Sequence, residues 1–325
     1  MQIRVGFEMA YECPAPTPMI LALNIHYSRA SDLLRPDHLI TTPAVPVTAY
    51  RDLFGNWCSR VVAPAGLFVL STDALVHDHG EADVVAPWAT QVPVEQLPES
   101  TLVYLLGSRY CETDQLSEIA WQRFGNGPTG WARVQAICDF VHRHIEFGYH
   151  HARRTRTAWE AYQEGQGVCR DYAHLAIALC RCMNIPARYC TGYMGDIGVP
   201  RVDPMDFSAW FEVYLGGRWY TFDARNNKPR IGRILMARGR DATDVAMVTS
   251  FGPCTLANCR LEEEVIALFD QHRYAGQKGV DVRFVDTVWP HIDVGIRIDF
   301  VDTTGSYQCL IRADIDQRGW YTIQV

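Results

Sequence analysis

The stretch 165-GQGVCRDYAHLAIALCRCM-183 sets one cysteine, Cys169, directly ahead of a long apolar run. From Ala173 to Met183 almost every side of a helix would be apolar, so a buried helix is predicted. Gly165 and Gly167 precede the cysteine, where they allow a sharp turn and leave room beside it. A thiol at a helix N-terminus sits at the positive end of the macrodipole, near N–H groups that lack intrahelical partners. Both effects favour the thiolate, the reactive form. Free cysteines are mostly buried and inert, so it is the placement of Cys169, and not its residue type, that makes it a candidate nucleophile.

Outward from this helix the pattern changes on both sides. Upstream, 112-ETDQLSEIAWQRFG-125 reads as a helix ending at glycine, and 130-GWARVQAICDFVHRHIEF-147 carries Val134, Ile137, Cys138, Val141 and Ile145 at helical spacing. A polar segment, 148–167, leads into the cysteine helix, which ends near Asn184 ahead of Ile185-Pro186. Before residue 95 the chain reads as strands: 2-QIRVGFEMAYE-12, 19-MILALNIHY-27 and two or three more within 58-CSRVVAPAGLFVLSTDALV-76. Pro and Gly punctuate every gap, as a sandwich or small barrel needs. The polar 91-QVPVEQLPES-100, with two prolines, marks a boundary. Beyond residue 250, 261-LEEEVIALFD-270 reads as a short helix, and 292–301, 306–315 and 320–325 read as strands.

Downstream of the cysteine helix, 187-ARYCTGY-193 is predicted as a strand, followed by a Gly- and Pro-rich connector over 194–206. Then 207-FSAWFEVYL-215 and 218-RWYTFDA-224 flank Gly216-Gly217, a hairpin signal. Pairing Leu215 with Arg218 puts Ser208, Trp210, Glu212 and Tyr214 on one face with Trp219, Thr221, Asp223 and Arg225. Ala209, Phe211, Val213, Leu215, Tyr220, Phe222 and Ala224 form the core face. Ser208 and Asp223 become diagonal neighbours, roughly 7–8 Å apart at Cα.

The bulk composition excludes several classes. The 325 residues suffice for two or three domains, and 48% are hydrophobic, as in a folded globular protein. A formal charge of -7 argues against a nucleic-acid binder. No apolar run is long enough to span a membrane, and the N-terminus lacks the pattern of a signal peptide. The eleven cysteines are odd in number and irregular in spacing, which suggests reduced thiols and a cytoplasmic protein. His77-Asp78-His79 places two imidazoles on one strand face, but no further ligand completes a metal site, and no metal or cofactor is expected.

The motifs Gly167-Val168-Cys169-Arg170-Asp171-Tyr172-Ala173, Ile185-Pro186-Ala187-Arg188-Tyr189, Ala209-Trp210-Phe211-Glu212-Val213-Tyr214 and Trp219-Tyr220-Thr221-Phe222-Asp223 together resemble the transglutaminase-like superfamily of papain-like thiol enzymes. The resemblance is closest to the bacterial branch of transglutaminase-like cysteine proteases with an N-terminal β-domain. It implies an α+β fold in three parts. Residues 1–95 would be an antiparallel sandwich or barrel, residues 96–260 the core with the cysteine helix packed on an antiparallel sheet, and residues 261–325 a β-rich extension. It also implies cofactor-free hydrolysis or acyl transfer at amides of a peptide or protein, through a Cys169 acyl-enzyme with Asp223 as the orienting acid.

The family histidine falls just before Ala-Trp, and here that position is Ser208. A hydroxyl cannot hold a proton near neutral pH as imidazole does. Three readings follow. Another histidine supplies the base, with His150 and His151 as candidates, since His174 lies about 140° round the helix from Cys169. Alternatively, acyl transfer is lost and the groove binds peptide or protein without turnover. Or Cys169 works as an unassisted thiolate. Gln166 or Gln163 would complete an oxyanion site beside the Cys169 N–H, and Trp210 and Arg225 would line the cleft.

Overall fold

The computed structural model describes residues 1–199, 206–267, 294–302, 305–315 and 321–324. Packing divides the chain into two units, Met1–Ile266 and Ala267–Val325.

The first unit opens with seven strands: β1 (Gln2–Cys13), β2 (Thr17–Leu21), β3 (Leu33–Arg35), β4 (Ile40–Thr42), β5 (Thr48–Arg51), β6 (Trp57–Ala63) and β7 (Gly66–His77). Alternation in β1 buries Ile3, Val5, Phe7 and Met9, and β7 answers with Phe68, Leu70, Ala74 and Val76. The two strands pair antiparallel from Gln2↔His77 to Cys13↔Gly66.

Four helices follow: α1 (Glu99–Leu102), α2 (Thr113–Phe124), α3 (Trp131–His144) and, after the short strand β8 (Glu146–Phe147), α4 (Ala158–Glu164). Within the segment read as merely polar, Thr157 caps α4 by accepting from the Glu160 N–H, while the Glu160 carboxylate accepts from the Thr157 N–H. Gly165 ends α4 in the left-handed conformation, φ 64°. Then come β9 (Gln166–Gly167) and the cysteine helix α5 (Cys169–Cys182), which is buried from Asp171 to its end.

A four-stranded antiparallel sheet in the order β12-β11-β10-β13 backs this helix. Its strands are β10 (Ala187–Met194), β11 (Ser208–Leu215), β12 (Arg218–Phe222) and β13 (Arg233–Gly239). The hairpin has the expected register, Leu215↔Arg218 through Phe211↔Phe222. The ladder stops there, so Asp223 stands one residue past the last pair. Phe211, Val213, Leu215, Tyr220 and Phe222 share one core with α5, whereas Tyr193, Phe207, Ile234 and Met236 join the core of the N-terminal strands. The sheet is therefore covered by helices on one face and by the β-layers on the other.

Two further strands return to those layers. β14 (Val248–Ser250) pairs with β2, and β15 (Thr255–Ala267) lies at the edge beside β1. The short helix read from residue 261 is therefore strand over its described part, because pairing at a sheet edge overrides local helix propensity. Residues 268–270 lie outside the described residues, as do 200–205 of the connector over 194–206. β15 also brings Cys254 to a Cα separation of 4.4 Å from Cys13, and the two form a disulfide. This corrects the expectation that every cysteine is a thiol.

In the second unit β16 (Val294–Asp302), β17 (Gly305–Ile315) and β18 (Tyr321–Gln324) form an antiparallel sheet. No helix among the described residues is long and apolar enough to cross a membrane.

Candidate active site

The start of α5 is built by a buried carboxylate. Asp171, with no solvent exposure, accepts the Val168 N–H at 2.9 Å and an Arg156 N–H at 3.1 Å. Gly167 makes this possible, since a Cβ there would lie 2.7 Å from the Asp171 side chain. Cys169 thus begins the helix with its backbone N–H among the donors that have no intrahelical acceptor.

Its sulfur meets the start of β11. The Ala209 N–H donates to Cys169 Sγ, so the backbone beside Ser208 touches the thiol. Ser208 is buried, pairs with Gly192 of β10, and its carbonyl accepts from Thr191 Oγ1 at 3.1 Å. Gly192 is required here, because a Cβ would lie 2.1 Å from the Ile234 carbonyl of β13.

Although Cys169 keeps some surface in solvent, burial of its sulfur dominates and pushes the thiol up to about 11. Arg225 and the Ala209 N–H pull it down, while Asp206 and Asp223 push it up. Burial and the two carboxylates thus oppose the thiolate that the helix terminus favours. Arg225 stacks over Phe147 at 3.9 Å and is hydrogen-bonded to the Tyr149 side chain. Tyr149, Phe147 and Asp206 were not singled out from the sequence, and no spacing signal marks them.

Asp223 is fully engaged, but not by imidazole. Its carboxylate accepts Asn226 N–H at 2.9 Å, Asn226 Nδ2 at 2.8 Å and Arg233 Nη2 at 2.8 Å. Burial alone would raise its pKa, yet Arg233 and Asn226 hold it below the ordinary carboxylate range. Arg233 also binds Asp83 at 2.9 Å and lies 5.1 Å from the Trp210 ring. Trp210 is buried there and lines a pocket of ≈ 390 Å³ with Asp83 and Glu212, while its strand neighbours Ala209 and Phe211 belong to the α5 core.

The other candidates are placed as follows. His150 and His151 occupy a single turn after Gly148, their rings 3.8 Å apart, next to Tyr149. No hydrogen bond joins either ring to Cys169. His151 Nε2 is buried without a partner. Gln163 is exposed on α4, and Gln166 is half-buried on β9. His174 is buried with its Nε2 accepting the Ala242 N–H at 3.1 Å. His77 and His79 lie 5.6 Å apart.

A cysteine starting a buried helix, packed on an antiparallel sheet whose hairpin ends in an acid, defines a papain-like thiol-enzyme fold. Residues 120–224, which contain Cys169, Ser208 and Asp223, match the profile of the transglutaminase-like superfamily. The crystal structure of a candidate cysteine protease from Cytophaga hutchinsonii is 30% identical, with a TM-score of 0.72 over 83% of this chain and 92% of that chain. An uncharacterized protein of Mycobacterium leprae is 36% identical over 91 residues, 27% of this chain and 32% of its own length. An uncharacterized protein of Mycobacterium bovis is 27% identical over 234 residues, 64% of this chain and 73% of its own. The match thus spans about a third of the Mycobacterium leprae relative. The chain belongs to the transglutaminase-like superfamily.

Proposed function

We propose that this chain binds peptide or protein segments in the cleft at Cys169 without efficient amide turnover. One observation carries the reading. Serine stands at position 208, and the acid that would orient an imidazole there, Asp223, is instead paired with Arg233 and hydrogen-bonded by Asn226. Cys169 is then a neutral thiol at physiological pH, with no base among the described residues hydrogen-bonded to it. Relatives that keep a thiol–imidazole pair would form an acyl-enzyme; here the groove outlasts the chemistry.

A second reading has its own support. The Ala209 N–H and Arg225 both favour the thiolate, so slow Cys169-dependent hydrolysis or acyl transfer at amides is the residual activity to test against. The experiment is a peptide pull-down and turnover assay with the wild type and Cys169→Ala. The binding reading expects equal retention of peptide by both proteins and turnover below about 10⁻² s⁻¹, against the 1–10³ s⁻¹ typical of enzymes. Turnover within that range, abolished in Cys169→Ala, would overturn it.

A further inference from the structure

A groove of ≈ 940 Å³ runs between the N-terminal β-layers and the core, near the top of the range for ligand sites. Tyr11 lines it from β1, Tyr110 and Arg154 from loops, Arg170 from α5, and Tyr189 and Thr191 from β10. The last two tie it to the thiol. Thr191 Oγ1 holds the Ser208 carbonyl, and Tyr189 is buried close enough to Cys169 for the two to interact electrostatically.

Its charge is one-sided. Among the described residues no carboxylate lines the groove, in a protein whose formal charge is -7. Arg154 is exposed, and its charge reaches the Tyr11 hydroxyl. Arg109 stacks on Tyr110 at 4.8 Å, and Arg170 lies 5.4 Å from the same ring. Neither Arg109 nor Arg154 pairs with a carboxylate among the described residues. Arg170 is fixed by the carbonyls of Arg153 and Arg154, lies 3.6 Å from Asp171, and keeps a buried Nε without a partner. The acids nearest in sequence are turned inward: Asp171 and Asp241 are both buried, and Asp241 accepts the Tyr110 N–H.

We infer that the groove selects an acidic peptide segment, with Arg154, Arg109 and Arg170 meeting its carboxylates and the tyrosines packing its backbone and side-chain stems. The inference rests on the peptide-binding reading above and adds the class of ligand. Guanidinium groups suit carboxylates through paired N–H donors, and a single-sign groove raises the local concentration of the opposite charge.

The test is fluorescence anisotropy with fluorescein-labelled hexaglutamate, hexaserine, hexalysine and hexathymidylate. Hexaglutamate is expected to bind at least about 10-fold more tightly than hexaserine, with hexalysine weakest and the preference shrinking as salt rises. Arg154→Ala should weaken hexaglutamate about 3- to 5-fold and Arg154→Glu more, in the range of exposed charge pairs. Arg218→Glu, at the exposed start of β12, should change nothing. Hexaserine binding within about 2-fold of hexaglutamate, or an Arg154→Glu protein that keeps full affinity, would overturn the acidic preference while leaving peptide binding intact. Hexathymidylate binding tightest would overturn it in favour of a nucleic-acid ligand. Failure of all three peptides to bind would remove the peptide-binding reading itself.

Discussion

Replacing Ser208 by histidine puts an imidazole where the backbone already touches the nucleophile, since the Ala209 N–H donates to Cys169 Sγ. The size of the effect follows from the thiol's present state. With a pKa of about 11, about 3 in 10,000 molecules carry the thiolate at pH 7.5. An imidazolium partner that lowers the value to about 7 would ionise most of the population, a gain of about 2,000-fold in thiolate. A less basic thiolate is a weaker nucleophile, and a Brønsted slope of about 0.45 over four units removes about 60-fold. The expected net result for Ser208→His is a roughly 40-fold faster alkylation of Cys169 by iodoacetamide at pH 7.5, read by mass spectrometry at that residue. Amide turnover should rise far less, because Asp223 remains bound to Arg233 and cannot orient the new ring. A Ser208→His protein that melts like the wild type but alkylates within about 2-fold of it would refute the reasoning. Position 208 would then not be where an imidazole meets the sulfur.

Arg233→Met should cost about 3–5 kcal/mol in denaturant unfolding, because it leaves the buried Asp223 and the partly buried Asp83 without their shared counter-ion; a loss below about 1 kcal/mol would show that the pair is dispensable. The same network predicts an acid limb. Asp223 titrates below its ordinary value in the folded state, so its contribution is complete above the unfolded pKa of about 4 and is lost as pH falls through the folded value. Arg233→Met should flatten that limb. Burial lowers His174 to about 3 and His26 to about 4. Unfolded imidazoles bind protons below about 6.5, so stability should fall as pH drops from there, by up to about 1.4 kcal/mol per unit for each ring. NMR should find both rings still neutral at pH 5.5, and a titration centred near 6.5 for either would contradict the burial argument.

What was legible in the sequence was whatever local pattern decides. The α5 run and the Gly216-Gly217 hairpin fix the helix, the strand register and the core face, because periodicity and turn chemistry act over a few residues. The family motifs fix the fold of the core. Helix α4 was also written locally, as Thr157 and Glu160 at capping-box spacing, but seven residues of weak apolar pattern hid it. Three features depend on distant partners and left no local trace. Leu261-Glu262-Glu263-Glu264 looks helical until β1 offers an edge. Cys13 and Cys254 stand 241 residues apart before the sandwich brings them together. Asp223 is expected to orient a base; its carboxylate is held by Asn226 and Arg233, and it is Asp83, 150 residues from Arg233, that ties this cluster to a distant part of the chain. The helix N-terminus is the instructive case: macrodipole and free N–H groups favour a thiolate, while burial of the side chain, which local pattern does not show, opposes it.

The measurement that reaches the central claim most directly is the rate of iodoacetamide alkylation at Cys169 in the wild type against pH. The rate should still climb between pH 8 and 10, beyond an ordinary thiol's value of about 8.5, as expected for a buried thiol with no imidazole partner. A rate that reaches its plateau below about pH 7 would mean that some group in the cleft already ionises Cys169, and the binding reading would give way to a working thiol enzyme.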